Sequence, residues 1–428
     1  MDSLRVSRPQ RLRRRGPRGV SVAVRLLQGV IVAVDAILGL STAYLIALLL
    51  AARSSIVNSL SSEHAPGRSR LQFVVLIPAH NEEAGIQGTL HSLGSIDYPR
   101  EHWTAIVIAD NCTDATAARA REAGAETWER TDPERPGKGS ALAWALEQLE
   151  GDALTFDAVA IVDADCQVSS NLLSAMEERL VAGAEAVQVN YVVGNADASH
   201  VAALRYAAFV LIDTVRPLGK QRLSFSCGLL GTGMGFSAAL LGREPWNATG
   251  LAEDGEYHMH LVAAGVRVAF IMDACVRSAM PTSYEQGSAQ QARWEQGKLH
   301  TIRAWSPRLV ALGLHERDLA RVHAGLELLV PPQSLLAAGS LTTGATSAVF
   351  GFRRLALFSA GMLGAQLAFV VGGLWLVRAP AHVYRSLMVA PALIVRKVTL
   401  YGNLLRGRGP KSWVRTEREA ATTADRSG

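Results

Sequence analysis

The chain has 428 residues, of which 49% are hydrophobic, and a formal net charge of +5. Residues 1–20 contain seven arginines and one aspartate, so the remainder carries a net charge of about −1. This distribution argues against nucleic acid as a partner, and the basic tail would instead attract anionic membrane lipids. The four cysteines lie far apart, without metal-site spacing, which is typical of free thiols in a reducing compartment.

Four segments near the ends of the chain are apolar enough to associate with a membrane. Residues 26–52 predict a transmembrane helix, with a cleaved signal peptide as the alternative. Residues 355–377 carry no charge and predict a second span, and residues 328–350 predict a third, or else a re-entrant or interfacial helix. Residues 382–405 include Arg385, Arg396 and Lys397, which predicts an interfacial helix. Basic tails at 1–25 and 406–428 complete this division.

The middle of the chain alternates between predicted strands and helices. The clearest strands are residues 73–77, 105–109 and 158–162, and weaker ones are residues 125–129, 186–191 and 266–271. Helical patterns cover residues 84–93, 114–123, 138–149 and 170–182. This alternation predicts an α/β fold with a mostly parallel sheet and helices on both faces.

Acidic residues follow three of the predicted strands. Glu82 lies shortly after the first strand, Asp110 directly follows the second, and Asp163-Ala164-Asp165 follows the third. Ligands bind at the carboxyl ends of strands in such sheets. The two carboxylates of Asp163 and Asp165 suit a hard divalent cation, Mg²⁺ or Mn²⁺, that also holds a diphosphate; solvated acids at a strand end are the alternative. Asp110 could accept hydrogen bonds from a ribose or a base, or be a turn acid.

Two glycine-containing segments could lie against a ligand. Lys138 follows Gly137 at the predicted start of a helix, where a close backbone approach and anion binding are favoured. Residues 228–237 contain four glycines, which predicts a ligand-facing loop or a packed hairpin.

A second acidic pair and a helical triplet follow. Glu253 and Asp254 open a helical run, where the helix dipole stabilises carboxylates and where a catalytic base is also possible. Gln290, Arg293 and Trp294 lie three to four residues apart on a helix predicted over 284–305, so they share one face. Arginine suits phosphate oxygens and tryptophan suits stacking on a sugar.

Taken together, these motifs resemble those of the family 2 glycosyltransferases, in the membrane branch with the cellulose, hyaluronan and chitin synthases. The resemblance covers residues 71–305, with the motifs in family order. It implies a GT-A fold and an inverting transfer of a hexosyl or N-acetylhexosaminyl group from a nucleotide sugar, with uridine diphosphate as the expected leaving group.

The resemblance also implies a role for each motif residue. Asp254 matches the general base. Donor-binding positions are matched by Glu82, Asp110, Asp163, Gln290 and Arg293, an acceptor-binding position by Trp294, and the metal site by Asp163 and Asp165. Apart from the resemblance, we expect Lys138 to bind the donor from its position at a helix start, and Glu253, beside the base, to lie at the acceptor.

Nucleotide sugars are cytosolic, so we expect residues 71–305 on the cytosolic side of the cell membrane. The basic residues after 378 agree with this side, whereas one span at 26–52 would place the arginine-rich N-terminus outside. The expected acceptor is a growing polysaccharide or oligosaccharide, and export-complex partners are possible. A glycolipid synthase, or a non-catalytic relative that binds a partner, are the alternatives.

Overall fold

The computed structural model describes residues 22–59, 70–151 and 155–406. Nearly all of the two expected basic tails lies outside these described residues. The strands are β1 (Phe73–Ala79), β2 (Trp103–Asp110), β3 (Glu126–Arg130), β4 (Ala158–Ile161), β5 (Cys166–Val168), β6 (Ala186–Val193), β7 (Met234–Ser237) and β8 (Val268–Ser278). They form one sheet in the order β3-β2-β1-β4-β7-β6-β8-β5.

The helices up to the middle of the chain are α1 (Val22–Ser59), α2 (Ile86–Gly94), α3 (Thr116–Glu122), α4 (Lys138–Gly151), α5 (Leu172–Val181), α6 (His200–Phe209) and α7 (Arg216–Arg222), with a π-helix at Val210–Val215. The later helices are α8 (Ala238–Arg243), α9 (Glu253–Ala263), α10 (Tyr284–Glu316), α11 (Leu319–Glu327), α12 (Gln333–Val349), α13 (Arg353–Leu376), α14 (Ala381–Ser386) and α15 (Ala390–Leu405). Short 3-10 helices lie at Arg100–His102 and Leu387–Val389.

The sheet is mixed. β1 pairs in parallel with β2 and β4, β2 with β3, and β6 with β8. The pairs β4–β7, β6–β7 and β5–β8 are antiparallel. The predicted α/β class is therefore confirmed, with fewer parallel pairs than a purely alternating chain would give. β5 and β7 were not predicted because both are short and β7 contains Gly235, a residue that weakens a strand pattern. Packing accounts for this glycine, since an added β-carbon at residue 235 would lie 2.7 Å from Val187 Cγ2.

Two hydrophobic cores cover the faces of the sheet. Alternate residues of β1 divide between them: Phe73, Val75 and Ile77 enter one core, and Val74 and Leu76 enter the other. The first core includes residues of α2 and α5, and the second includes residues of α4 and α9. Strands buried on both faces have continuous apolar sequences, which is why β1, β2 and β4 were predictable. Their polar ends meet at one edge of the sheet.

Three helices of the described residues are long and apolar enough to cross a membrane: Val22–Ser54, Arg353–Leu376 and Ala381–Leu404. The third is interrupted by the 3-10 helix between α14 and α15. α12 has 17 residues, fewer than the three candidates. The expected spans at 26–52 and 355–377 therefore correspond to candidate helices, whereas the roles of residues 328–350 and 382–405 stay predictions.

Helices α1, α12 and α13 pack together, and their contacts fix their relative directions. Near the start of α13, Ser359 donates a hydrogen bond to Asp35 of α1 at 3.3 Å. Near its end, a β-carbon at Gly372 would lie 2.9 Å from Leu49 Cδ2. α1 and α13 therefore run in the same direction. In α12, Thr343 lies 3.2 Å from Ser359, while the earlier Ser340 accepts a hydrogen bond from the later residue Gln366, so α12 runs in the opposite direction.

The second half of α1 packs against the domain that contains the sheet. A β-carbon at Gly219 of α7 would lie 2.4 Å from the carbonyl oxygen of Leu48, so these two helix backbones are in direct contact. The Tyr44 hydroxyl lies 3.0 Å from Nε2 of His323 in α11. These contacts place the end of α1, rather than its start, at the domain.

Candidate active site

The loops after β1 and β2 are tied together. Asn81 and Asn111 have positive φ angles of 55° and 48°, a conformation that asparagine adopts more readily than most residues. The Thr113 amide donates to Asn81 Oδ1 at 2.7 Å, and the Glu82 amide donates to Thr116 Oγ1 at 2.8 Å. These bonds hold Glu82 at the edge of the sheet where the other acidic residues lie.

Asp110 is buried and has a partner that sequence reasoning missed. Arg130 Nη1 donates to Asp110 Oδ1 at 2.6 Å, and Asn111 Nδ2 donates to the same oxygen at 3.0 Å. The pair arises from the sheet register, because Asp110 lies opposite Arg130 at the ends of β2 and β3. In the sequence, the one sign of this ion pair is that Arg130 directly follows the weakly predicted strand at residues 125–129. The ion pair fixes the position of the carboxylate, and its expected donor contact stays a prediction.

The acids after β4 form a group that could hold a metal ion. One ligand atom each from Asp163, Asp165 and Cys166 lie within 4.8 Å of one another. Burial raises the pKa of the Cys166 thiol, and sulfur is a soft ligand that a hard cation does not favour. The two carboxylates supply the oxygen ligands that Mg²⁺ and Mn²⁺ prefer, so these residues fit the expected ion.

Lys138 lies at the centre of the acidic group. Its ammonium forms an ion pair with Asp163 and donates to the carbonyl oxygen of Gly231 at 2.5 Å. Burial disfavours the charged form, but the nearby carboxylates of Asp163, Glu253 and Asp254 raise the pKa of Lys138 overall. The first residue of α4 thus connects the strand-end acids to the glycine-rich loop and to the start of α9.

The glycine-rich segment forms a loop that leads into β7. Gly228, Gly231 and Gly233 have φ angles of 118°, 83° and 67°, in the region that other residues rarely adopt. A β-carbon at Gly231 would lie 3.5 Å from both Asp254 Oδ2 and Lys138 Nζ. The loop backbone therefore lies directly against two of the predicted site residues.

Glu253 and Asp254 begin α9 but face different surroundings. The N-cap is Ala252, so Glu253 does not cap the helix. Its β-carbon lies near Gly139 of α4, whereas Asp254 lines a cavity. Burial raises the pKa of both carboxyls, with the charge of Asp254 also raising that of Glu253, to about 7. Asp254 is therefore in the cavity wall and Glu253 is not, and the roles expected for both residues stay predictions.

Two members of the α10 triplet lie at this site: Arg293 is within electrostatic reach of its acids, and Trp294 lines the cavity beside Asp254. Gln290 is 6% exposed, and its Oε1 has no hydrogen-bond donor among the described residues. Burial lowers the pKa of the Arg293 guanidinium, while the charges of Glu253, Asp163 and Asp254 oppose this shift. The helix itself continues to Glu316, beyond the predicted end at 305. Gln290 thus offers a free acceptor, and Arg293 a cation within electrostatic reach of the acids.

A cavity of about 520 Å³ extends from Asp254 towards the apolar helices. Its walls come from α6, the π-helix, α7, α9, α10, α11 and α15. Trp294 lies in its wall, 37% exposed, with its ring centroid 6.2 Å from that of Phe209. Sequence reasoning placed Trp294 near the acceptor but gave no sign of the cavity, because its walls join residues from 191 to 397.

Comparison with known proteins identifies the family of this chain. The model of the family described as "Glycosyltransferase like family 2" matches residues 70–297. A probable glycosyltransferase of Bacillus subtilis, YdaM, is 26% identical over 246 residues, which cover 53% of this chain and 55% of the relative. A β-monoglucosyldiacylglycerol synthase of Nostoc is 33% identical over 109 residues, 24% of this chain and 22% of that protein. The chain therefore spans about half or less of the length of these curated relatives.

Among solved structures, the mannosyltransferase PcManGT of Pyrobaculum calidifontis, in complex with GDP-Man and Mn²⁺, is 20% identical with a TM-score of 0.46. The match covers 79% of this chain and 97% of that one. The family match spans more than half of the chain and includes Glu82, Asp110, both strand-end aspartates and the α10 triplet. By that match, the chain belongs to the family 2-like glycosyltransferases.

Proposed function

We propose that this protein is a membrane-bound inverting glycosyltransferase that moves a sugar from a nucleotide donor, expected to be UDP-linked, to an acceptor in the cavity. The observation that carries the proposal is the position of Asp254. Its Oδ2 side lies beside Gly231 and Lys138, near the acids that fit a metal and diphosphate, while the same residue lines the cavity. One carboxylate therefore lies between the expected donor and acceptor sites.

The chemistry follows from this position. The acceptor hydroxyl attacks the anomeric carbon while the bond to the diphosphate oxygen breaks, and the nucleotide diphosphate leaves with the electron pair. Asp254 Oδ1 accepts the Gly255 amide at 2.8 Å, so Oδ2 is the oxygen that takes the hydroxyl proton. Arg293 and Lys138 bind the diphosphate oxygens. Mg²⁺ or Mn²⁺, held by Asp163 and Asp165, would offset the charge that develops on the leaving group.

Of the two acceptor classes, the cavity favours a lipid over a free polysaccharide. Much of its wall is apolar, and α15, part of a candidate membrane segment, contributes Leu393 and Lys397. An interfacial α15 would let a lipid headgroup enter this site from the membrane surface. A polysaccharide acceptor, with or without export-complex partners, is the competing outcome.

We further propose that α1, α12 and α13 cross the cell membrane, with the sheet domain on the cytosolic side. α1 and α13 end at the domain, and α12 starts near it, so the hairpin of α12 and α13 returns the chain to the domain side. α1 then starts on the opposite side, contrary to the preference of the arginine-rich tail. α15 follows the domain surface instead, because its Lys397 and Tyr401 both contact Glu295 of α10.

The activity is tested with purified protein in nonionic detergent. UDP-glucose, UDP-galactose, UDP-N-acetylglucosamine and GDP-mannose are each supplied with Mn²⁺ or Mg²⁺ and either a lipid or an oligosaccharide acceptor, and products are identified by mass. We expect transfer to lipid from at least one donor, and at least about 100-fold slower transfer by the Asp254→Asn control. Absence of both transfer and donor hydrolysis with every donor would refute the proposed function, and transfer to oligosaccharide alone would refute the lipid acceptor.

The topology has a separate test. A single cysteine added in place of the exposed Glu122 should react with an impermeant thiol reagent only after the cells are opened. Labelling of position 122 in intact cells would place the domain outside.

A further inference from the structure

Asp213 is a buried acid in the cavity wall whose side chain has no partner. It lies in the π-helix Val210–Val215, is 7% exposed and lines the cavity. Its carboxyl forms no hydrogen bond or ion pair with another described residue. A buried polar group without a hydrogen bond costs free energy, so folding alone does not account for an acid at this position.

The cations that act on Asp213 do not supply the missing partner. Arg216 and Lys220 attract its charge, but each forms an ion pair with Glu327 instead, at 2.8 and 3.1 Å. Burial outweighs this attraction and raises the pKa of Asp213 to about 8. The carboxyl is therefore mostly protonated at neutral pH, and it can both donate and accept a hydrogen bond.

Asp213 is also close to the proposed base. The charge of Asp254 reaches the Asp213 carboxyl, and both residues line the cavity. Asp254 belongs to α9, whereas Asp213 belongs to the π-helix, so two separate elements bring two carboxyls to one cavity. A ligand that presents one hydroxyl to Asp254 can present another to Asp213.

Aromatic side chains lie on the same side of this helical segment. Phe209 precedes Asp213 by four residues, about one helical turn, and both line the cavity. The ring centroid of Phe209 is 6.2 Å from that of Trp294 and 5.3 Å from that of Tyr191. A sugar ring suits such surroundings, because an aromatic ring can stack on its C–H face while carboxyls bind its hydroxyls.

The charges of the cavity disfavour an ionic headgroup. The carboxylate of Asp254 would repel an anion beside it, and a cation would meet a wall that contains Arg205, Arg216, Lys220 and Lys298. A neutral headgroup with several hydroxyls avoids both costs. The cavity volume of about 520 Å³ lies within the usual range of small-molecule sites, roughly 300–1,000 Å³.

Resting on the proposed function, we propose that Asp213 positions the acceptor and restricts it to a neutral lipid whose headgroup carries at least two hydroxyls, as a sugar ring does. Asp254 takes the proton of one hydroxyl, and Asp213 forms a hydrogen bond with another. This second bond forms on binding and persists in the transition state, so it contributes to acceptor affinity more than to turnover. A lipid with a single headgroup hydroxyl would leave Asp213 without a partner.

Three lipids separate the requirements for the headgroup. A synthetic β-glucosyl diacylglycerol has a neutral ring with several hydroxyls, diacylglycerol has a single hydroxyl, and phosphatidylglycerol has two hydroxyls and a phosphate. Binding to the purified full-length protein is measured by native mass spectrometry without any donor, in a polyoxyethylene detergent, which has no sugar that could compete. We expect the glucosyl lipid to bind at least about 10-fold more tightly than either other lipid, as one or two added hydrogen bonds would give.

Variants assign the effect to Asp213. Asp213→Leu removes its hydrogen bonds and should weaken binding of the glucosyl lipid about 10-fold, while binding of diacylglycerol stays unchanged. Asp213→Asn can still donate and accept hydrogen bonds, so it should bind the glucosyl lipid within about 3-fold of the wild type. Asp197→Leu makes the same change at an exposed acid shortly before α6 and is the matched control, which should bind like the wild type.

Turnover gives a second readout. With an active donor, Asp213→Leu should raise the KM for the glucosyl lipid about 10-fold and change kcat by less than about 3-fold. A fall in kcat at unchanged KM would overturn the positioning role. Glycosylation of diacylglycerol, without glycosylation of a bound glucosyl lipid, would overturn the proposed acceptor.

The binding outcomes are distinct from those of the proposed function. Equal binding of the glucosyl lipid and diacylglycerol, or an Asp213→Leu loss no larger than that of Asp197→Leu, would overturn the site. Tighter binding of phosphatidylglycerol than of the glucosyl lipid would overturn the neutral headgroup, and an Asp213→Asn loss as large as that of Asp213→Leu would overturn the hydrogen bond. A protein that binds the glucosyl lipid as expected but neither hydrolyses nor transfers any donor would instead refute the proposed function.

Discussion

Replacement of Asp254 by asparagine tests the assignment of the general base. In the wild type, Oδ1 accepts the Gly255 amide at 2.8 Å, and Oδ2 faces Gly231 and Lys138. Asparagine can keep the first contact through its carbonyl oxygen, but its amide nitrogen cannot accept a proton. The fold and the donor site should therefore survive while proton transfer is lost.

The expected size of the effect comes from general-base catalysis. Loss of a positioned base typically lowers the rate by about 10²–10⁴-fold, which corresponds to roughly 3–5 kcal/mol in the activation free energy. The turnover number of Asp254→Asn should fall in this range, and the donor dissociation constant should change by no more than a few-fold. Turnover is measured with labelled donor, and donor affinity by calorimetry.

Glu253→Gln is the matched variant, because it makes the same chemical change at the neighbouring residue. Glu253 is adjacent to α4 and is absent from the cavity wall, so its loss should reduce turnover much less. Near-normal turnover in a folded, donor-binding Asp254→Asn protein would refute the assignment. A collapse confined to Glu253→Gln would transfer the role of base to that residue.

Three further expectations concern the metal, the acceptor and acid stability. Asp165→Asn should weaken Mn²⁺ and donor binding together, as measured by calorimetry, because a carboxylate and the diphosphate share the ion; full activity in excess chelator would contradict metal use. Trp294→Ala should raise the acceptor KM while sparing donor affinity, and an unchanged acceptor KM would remove Trp294 from the site. Burial lowers the pKa of His258 to about 3. Below about pH 6.5 the histidine is therefore protonated in the unfolded state but neutral in the folded state. The free energy of unfolding should fall as the pH drops through this range, by up to about 1.4 kcal/mol per pH unit. His258→Asn should show a shallower decline in denaturant midpoint between pH 6.5 and pH 4, and an unchanged slope would exclude a neutral buried histidine.

The parts of this structure that were predictable from sequence depend on local patterns. Buried strands are continuously apolar, so β1, β2 and β4 and the acids that follow them could be located directly. The face shared by Gln290, Arg293 and Trp294 follows from helical spacing alone. The start of α4 at Lys138 also agrees with the glycine signal before it.

The features that were missed depend on long-range packing. The pairing of Arg130 with Asp110 requires the register of β2 and β3, and β7 is a strand because it pairs with β4 and β6. The π-helix has no composition that distinguishes it from an ordinary helix.

The configuration of the product tests the central claim most directly. In a single displacement assisted by Asp254, the acceptor oxygen attacks opposite the departing diphosphate, so the anomeric configuration must invert. With UDP-α-glucose, or whichever α-linked donor the protein accepts, the product is purified and its NMR spectrum recorded. The one-bond carbon–proton coupling at the anomeric carbon should show a β-linkage. An α-linked product would contradict the mechanism and the role given to Asp254.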